Sequence, residues 1–171
     1  MNHHFEILIV GGGPAGAAAG TLLACAGLRV LIVEKTKFPR EKICGACVNP
    51  RAWQYFEALN VADELRTRRL NVIDSFRISN NGGADFASKI PQTTARPFFS
   101  IPRSELDTIL LERARTSGAV VSEETSVVEV VRHKGWTVDT RNGATFTSFD
   151  CDVLIGADGR NSTVARSPSN G

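Results

Sequence analysis

The sequence has no apolar run long enough to cross a membrane. The apolar stretch that ends at Val33 is followed at once by Glu34, Lys35 and Lys37, whereas a spanning helix needs about 20 consecutive apolar residues. The chain also lacks the marks of a signal peptide, because residues 5–10 run straight into a glycine-rich turn with no small-residue cleavage site. We therefore expect a soluble cytoplasmic protein, with peripheral membrane contact still open.

Cysteine and net charge are both scarce. Four cysteines in 171 residues are too few for the dense disulfide framework of a small secreted domain, which points to a reducing compartment. A formal net charge of +2 leaves no domain-wide basic surface for nucleic acid. The adjacent His3 and His4 have no suitable third ligand nearby, so we expect no metal site. The apolar fraction of 42% is typical of a soluble globular domain with a packed core.

The first part of the chain predicts a βαβ unit. Residues 5–10 and 29–33 are each dominated by a continuous apolar run, 7–10 and 30–33, as expected of buried strands. Residues 14–26 between them are rich in alanine and leucine, and Pro14 stands where the first turn of a helix tolerates proline. Such a unit places two parallel strands side by side through a right-handed crossover.

The turn between the first strand and the helix matches the dinucleotide-binding pattern G-x-G-x-x-G. Gly11 permits the tight turn, Gly13 lets the backbone approach a pyrophosphate, and Gly16 lets helix and strand pack closely. Glu34 ends the second strand 21 positions after Gly13, where a carboxylate that binds a ribose is expected. The same carboxylate disfavours the 2′-phosphate of NADP. A purely steric glycine turn is the alternative, and the strand–turn–helix context argues against it.

Beyond this unit the sequence predicts two helices, a hairpin and an antiparallel meander that precedes a last buried strand. The helices are predicted at residues 51–65 and 104–116, and the hairpin at 75–78 and 85–90 around an Asn-Asn-Gly-Gly turn. The meander and the last strand are predicted at residues 127–131, 136–140, 145–149 and 152–155. A simple NAD dehydrogenase would continue with alternating strands and helices, so the meander favours FAD.

Four segments resemble the flavoproteins with the hydroxylase-type FAD fold, a family that includes geranylgeranyl reductases, aromatic monooxygenases and flavin-dependent halogenases. These segments are residues 7–35, 38–45, 103–120 and 156–162. The resemblance implies an α/β, Rossmann-like three-layer fold with an antiparallel meander, FAD as cofactor, and NAD(P)H as a transient electron donor. It also implies that residues 1–171 are an incomplete FAD-binding domain without the C-terminal half, and that residues 71–101 begin a substrate-side β insertion.

The resemblance extends to individual cofactor contacts. Arg103 matches an arginine near the phosphates of FAD, although a lone surface arginine is the alternative. Asp158 and Gly159 match an Asp-Gly motif that helps to hold FAD, although Asp158 could equally cap the helix that follows. The full predicted cofactor set is Gly11, Gly13, Pro14, Ala15, Gly16, Glu34, Lys35, Arg40, Cys44, Gly45, Arg103, Val127, Asp158 and Gly159.

Cys44 and Cys47 form a C-x-x-C motif with three interpretations. A metal site would need two further ligands at matched spacing. A redox disulfide would resemble the pyridine-nucleotide disulfide reductases, but their spacing is wider and they carry a second glycine-rich turn. The third interpretation follows the resemblance: reductases of the family read Pro-Arg-x-Lys-x-Cys-Gly here and place that cysteine near the flavin. Halogenases have Gly-Glu-Ser instead and are therefore disfavoured, and Cys47 is expected to be buried.

These observations predict an FAD-dependent oxidoreductase of the geranylgeranyl-reductase type with Cys44 as the catalytic side chain. It would reduce carbon–carbon double bonds of an apolar, isoprenoid-like small molecule. One alternative is an FAD-dependent monooxygenase or halogenase-like enzyme. The other, from a different class, is a nucleotide-binding module without turnover.

Overall fold

The structure, a computed structural model, describes residues 3–44, 47–68, 70–80, 82–83, 85–91 and 95–167. The chain divides into two compact units, the first made of Met1–Glu41 with Ser104–Gly171 and the second of Lys42–Arg103. The elements in chain order are β1 (His3–Val10), α1 (Pro14–Cys25), β2 (Val30–Val33), β3 (Cys47–Val48), α2 (Ala52–Ala58), α3 (Ala62–Thr67), β4 (Asn71–Val72), β5 (Ser75–Ser79), β6 (Asp85–Lys89), β7 (Phe99–Ser100), α4 (Arg103–Thr116), β8 (Val120–Ser122), β9 (Ser126–Arg132), β10 (Trp136–Asn142), β11 (Thr145–Gly156) and α5 (Thr163–Arg166).

The first unit is built on a six-stranded sheet with the order β8-β2-β1-β11-β10-β9. Strands β8, β2, β1 and β11 are mutually parallel, and β9, β10 and β11 form the antiparallel meander. All four residues of β2 are buried, and so are Leu8 and Ile9 at the centre of β1. Continuous apolar strands of this kind require cover on both faces. The parallel pairing of β1 with β2, joined through α1, confirms the predicted βαβ unit.

The predicted third meander strand and the predicted last strand are one continuous strand, β11, of 12 residues. Its first part pairs antiparallel with β10, where Val138 lies opposite Phe149. Its last eight residues pair parallel with β1, from Phe149 opposite His3 to Gly156 opposite Val10. The division was wrong because no glycine or proline interrupts residues 149–152, and without such a residue nothing breaks the strand.

Two further differences concern short elements. The single helix predicted over residues 51–65 is two helices, α2 and α3, because Asn60 adopts a left-handed conformation with φ of 56°. Asparagine tolerates that conformation better than most side chains and ends a helix there. The parallel strand β8 was not predicted, since its three residues are too short to show a period.

The second unit contains a three-stranded sheet, β3-β7-β4, and the separate β5–β6 hairpin, which confirms the predicted Asn-Gly-type hairpin. Trp53 and Phe99 are fully buried with ring centroids 5.2 Å apart. The Trp53 indole N–H donates to the carbonyl of Pro97 over 2.9 Å, so the buried ring keeps its hydrogen bond. Within the described ranges, no helix is long and apolar enough to span a membrane.

The four cysteines differ sharply in exposure. The side chains of Cys25, Cys44 and Cys47 are exposed, whereas Cys151 is 2% exposed in the middle of β11. Burial, which outweighs a hydrogen bond from the backbone of Leu8, raises the pKa of the Cys151 thiol to about 11. The expectation that Cys47 is buried is therefore wrong.

Thiol titration with Ellman's reagent at pH 8 tests this arrangement. We expect three thiols to react in the native, fully reduced protein and four after denaturation, because only about one Cys151 in a thousand is a thiolate at that pH. A Cys151→Ser variant should give three thiols in both conditions. Rapid reaction of four thiols in the native wild type would contradict the burial of β11.

Candidate dinucleotide site

The glycine-rich turn connects the end of β1 to the start of α1. Gly11 has φ of 105°, and a Cβ there would lie 2.5 Å from the carbonyl oxygen of Ala157. A Cβ at Gly16 would lie 1.9 Å from the carbonyl oxygen of Gly11. No side chain can occupy either position without moving backbone, since real Cβ atoms do not approach that closely. The turn is therefore as tight as the sequence pattern requires.

The start of α1 presents backbone donors beside this turn. Gly13 is the N-cap residue, and no side chain caps the helix there. Pro14 is the first helical residue, and Ala15, which follows it, is exposed. The orphan N–H groups of a first helical turn attract anions, and the helix dipole adds to that attraction. The predicted phosphate-binding geometry is thus present at a 12-residue helix.

Glu34 is 5% exposed, and its carboxylate is tied to the turn. The N–H of Gly12 donates to Oε2 over 2.8 Å, while the N–H and hydroxyl of Thr36 donate to Oε1 over 2.9 and 2.7 Å. Burial raises the pKa of Glu34, but these hydrogen bonds together with the nearby charge of Arg40 outweigh it, so the net pKa is lowered. Glu34 stays ionised at neutral pH, and the adjacent Lys35 is exposed.

Arg40 lies at the same turn. Its guanidinium carbon is 4.9 Å from the ring centroid of Phe38, and its Nη2 is 3.5 Å from Oδ2 of Asp107. The same Nη2 lies 3.5 Å from where a Cβ of Gly13 would be. Within the described part of the chain, the buried Nε of Arg40 has no hydrogen-bond partner. A buried donor without a partner is rare and fits a ligand acceptor at this point.

Asp107 is a site residue that the sequence analysis missed. It is completely buried, on the face of α4 that also carries Leu110, Leu111 and Ala114. That spacing, i, i+3, i+4 and i+7, is the apolar stripe of an amphipathic helix. A carboxylate in such a stripe was the available signal, because a buried charge requires a partner.

Asp158 follows β11, and one of its carboxylate oxygens is hydrogen-bonded to the start of α5. Oδ2 accepts a hydrogen bond from the N–H of Thr163, which supports the helix-capping interpretation. Burial raises the pKa of Asp158, but hydrogen bonds from Ser162 and from the backbone of Thr163 outweigh it and lower the net value. Oδ1 is buried and has no partner among the described residues, so capping leaves one acceptor unused. The neighbouring Gly159 is exposed with φ of 85°.

The predicted contacts are distributed over both units of the chain. Val127 lies in β9 and packs against the core cluster that contains Leu8 and Val138. Cys44 and Arg103 belong to the second unit. Gly45 lies outside the described residues. Besides Val127, the first unit contains the glycines of the turn with Pro14 and Ala15, and also Glu34, Lys35, Arg40, Asp158 and Gly159.

The residues of the first unit fit the ADP half of FAD. Two buried polar atoms lack a hydrogen-bond partner among the described residues: Nε of Arg40, a donor, and Oδ1 of Asp158, an acceptor. A donor suits phosphate oxygens and an acceptor suits a sugar or ribityl hydroxyl. Gly13 leaves its side open except for Arg40, so a pyrophosphate can approach the backbone.

Comparison with known proteins agrees with this chemistry. A model of the FAD binding domain matches residues 4–169. The chain is 34% identical to a menaquinone reductase of Mycolicibacterium smegmatis, over 97% of this chain and 40% of that protein. It is 33% identical to a flavin-dependent halogenase of Armillaria mellea, over 73% of this chain and 24% of that protein.

The solved structures agree on the fold. The ternary complex of aklavinone-11 hydroxylase with FAD and aklavinone superposes with a TM-score of 0.78 at 25% identity, over 96% of this chain and 35% of that one. The chain thus spans about 40% or less of the length of these relatives. The predicted Rossmann-like α/β fold with its meander is confirmed, and the chain belongs to the FAD-binding domain family of flavin-dependent oxidoreductases, monooxygenases and halogenases.

Proposed function

We propose that this chain holds the ADP half of FAD in an enzyme that reduces an apolar small molecule. The observation that carries the proposal is the glycine turn with the buried Glu34 carboxylate and the Arg40 guanidinium on its two sides. In this arrangement Glu34 accepts from a ribose hydroxyl, the first turn of α1 binds the pyrophosphate, and Arg40 offsets its charge.

The second acceptor of the site is Asp158. Its unused Oδ1 would accept a hydroxyl of the sugar or ribityl chain while Oδ2 keeps α5 in place. Because the carboxylate is already fixed by the helix, it loses little conformational freedom when the ligand binds. Lys35, Arg103 and Val127 remain predicted contacts of the cofactor, with Arg103 near its phosphates.

Bound FAD would supply hydride transfer, and NAD(P)H is the proposed electron donor. Two observations support a reductase. The segment at Arg40, Lys42 and Cys44 matches the reductase loop, and the 34% identity to a menaquinone reductase extends over 97% of this chain. Cys44 is the side chain that we propose to act beside the flavin. The low cysteine content supports a cytoplasmic location.

A monooxygenase or halogenase is a second candidate with equal support from the relatives. The halogenase of Armillaria mellea matches at 33% identity and the aklavinone-11 hydroxylase shares the fold. The absence of Gly-Glu-Ser beside Arg40 argues against a halogenase, but these matches keep that activity open. A third candidate, a nucleotide-binding module without turnover, concerns this chain by itself.

Calorimetric titration with ADP and FAD tests the proposed cofactor site. We expect both ligands to bind with similar affinity, because the residues gathered at the turn address the ADP half that both share. A chain that binds neither ligand would contradict the proposal. Binding of FAD about a hundredfold tighter than ADP, equivalent to roughly 2.7 kcal/mol, would mean that this chain also holds the flavin ring.

Glu34→Gln tests the ribose contact. The amide keeps the shape of the side chain but removes the charge, so we expect ADP and FAD to bind at least about tenfold more weakly. The matched control is Glu6→Gln, because Glu6 also accepts a backbone N–H, from Arg29 over 2.9 Å, but stands well before the turn in β1. Unchanged affinity in Glu34→Gln would exclude the ribose assignment.

Cys44→Ser tests the catalytic assignment in the whole enzyme. We expect this variant to retain flavin, measured by its visible absorbance, but to lose or redirect reduction of the substrate. The control is Cys47→Ser, since Cys47 is exposed in the same segment and has no proposed role. If Cys47→Ser abolishes turnover while Cys44→Ser leaves it intact, the assignment within the pair is wrong.

A further inference from the structure

We propose that Asp107 is a positioning residue for the dinucleotide, holding the guanidinium of Arg40 at the glycine-rich turn where it meets the phosphates. The inference rests on the proposed function, because it requires a ligand with phosphate groups at Gly13. The chemical class that it selects is a nucleoside diphosphate or its esters. Asp107 itself would touch no atom of that ligand.

Burial shows that Asp107 and Arg40 depend on each other. The Asp107 side chain is 0% exposed and that of Arg40 17%. A fully buried carboxylate is very costly unless a cation and hydrogen bonds accompany it, and the guanidinium stands 3.5 Å away. This distance exceeds that of a strong charge-assisted hydrogen bond. Asp107 therefore fixes the place of the guanidinium without saturating its donors.

Phe38 restrains the guanidinium from a second direction. Its ring lies 4.9 Å from the guanidinium carbon, a cation–π distance. With Phe38 under the guanidinium and Asp107 near Nη2, the planar group has little freedom to rotate. Nη2 stands 3.5 Å from the position that a Cβ of Gly13 would occupy, which is van der Waals distance and places the guanidinium directly beside the turn.

The unused donor shows what the restrained group is able to bind. Nε of Arg40 is buried and has no hydrogen-bond partner among the residues that the structure describes. A guanidinium presents its donors as a rigid fork that suits two oxygens of one phosphate. The first turn of α1 attracts phosphate at the same residue, Gly13. Both features converge on a diphosphate.

The charge of Asp107 separates positioning from simple electrostatics. A carboxylate near an anionic ligand repels it, so removal of that charge alone would strengthen the binding of ADP. If Asp107 instead acts by holding Arg40, its removal weakens the binding of ADP. The two roles therefore predict opposite signs for the same substitution.

The experiment is a double-mutant cycle with Asp107→Asn, Arg40→Gln and the double variant, titrated calorimetrically with ADP and with adenosine. We expect Asp107→Asn to bind ADP about tenfold more weakly and adenosine with unchanged affinity, since only ADP carries the diphosphate. Arg40→Gln should show the same two results. The double variant should bind ADP no more weakly than Arg40→Gln does. The control is Glu112→Gln, which removes an exposed carboxylate of α4 that pairs with Arg115.

Several results would overturn the inference. ADP affinity that rises or stays constant in Asp107→Asn excludes positioning, and so does an equal loss for adenosine. If Asp107→Asn shows no cooperative thermal unfolding transition, the comparison of Arg40→Gln with the double variant decides. Weaker binding of ADP by the double variant than by Arg40→Gln contradicts action through Arg40. A wild-type chain that binds neither ADP nor FAD overturns the proposed function and this inference together. A wild type that binds both confines any failure to Asp107.

Discussion

The buried carboxylate of Glu34 is the constraint on which the site depends. It joins the end of β2 to the glycine turn by accepting the N–H of Gly12, and it holds Thr36 through two further bonds. A carboxylate that is 5% exposed is tolerated only with such a set of donors. The hydrogen bonds that stabilise the fold therefore also keep the group ionised. In the proposed function, the atoms that stabilise the turn are also those that would accept a sugar hydroxyl.

The segment that carries Arg40 is fixed in a similar way. Glu123 accepts the N–H of Phe38 over 2.6 Å through one oxygen and the guanidinium of Arg115 through the other. Asp107 restrains Arg40 itself. Two acidic side chains, Asp107 in α4 and Glu123 in the turn after β8, thus hold the irregular loop that carries Arg40. Such preorganisation lowers the conformational entropy lost when a ligand is bound.

The sequence predicted the parts of the site that depend on local chain geometry. The roles of Gly11 and Gly16 follow from backbone sterics over a few residues, and Glu34 follows from the length of one βαβ unit. Asp107 was missed because its partner, Arg40, lies 67 positions earlier in the chain. Local spacing does not reveal such a pair. The continuity of β11 was missed for a related reason, since a strand that changes partners along its length shows no single pattern.

The position of β11 gives this fold a particular order of assembly. β1 begins at His3, and its pairing with β11 begins at Phe149, 146 positions later. Until that late strand has been synthesised, one edge of β1 has only solvent for its backbone groups, although β2 already covers the other edge. Unpaired apolar edges recruit other chains, and pairing over such long separations is slow. During translation, the strand that leads into the nucleotide turn therefore emerges well before the strand that completes its pairing.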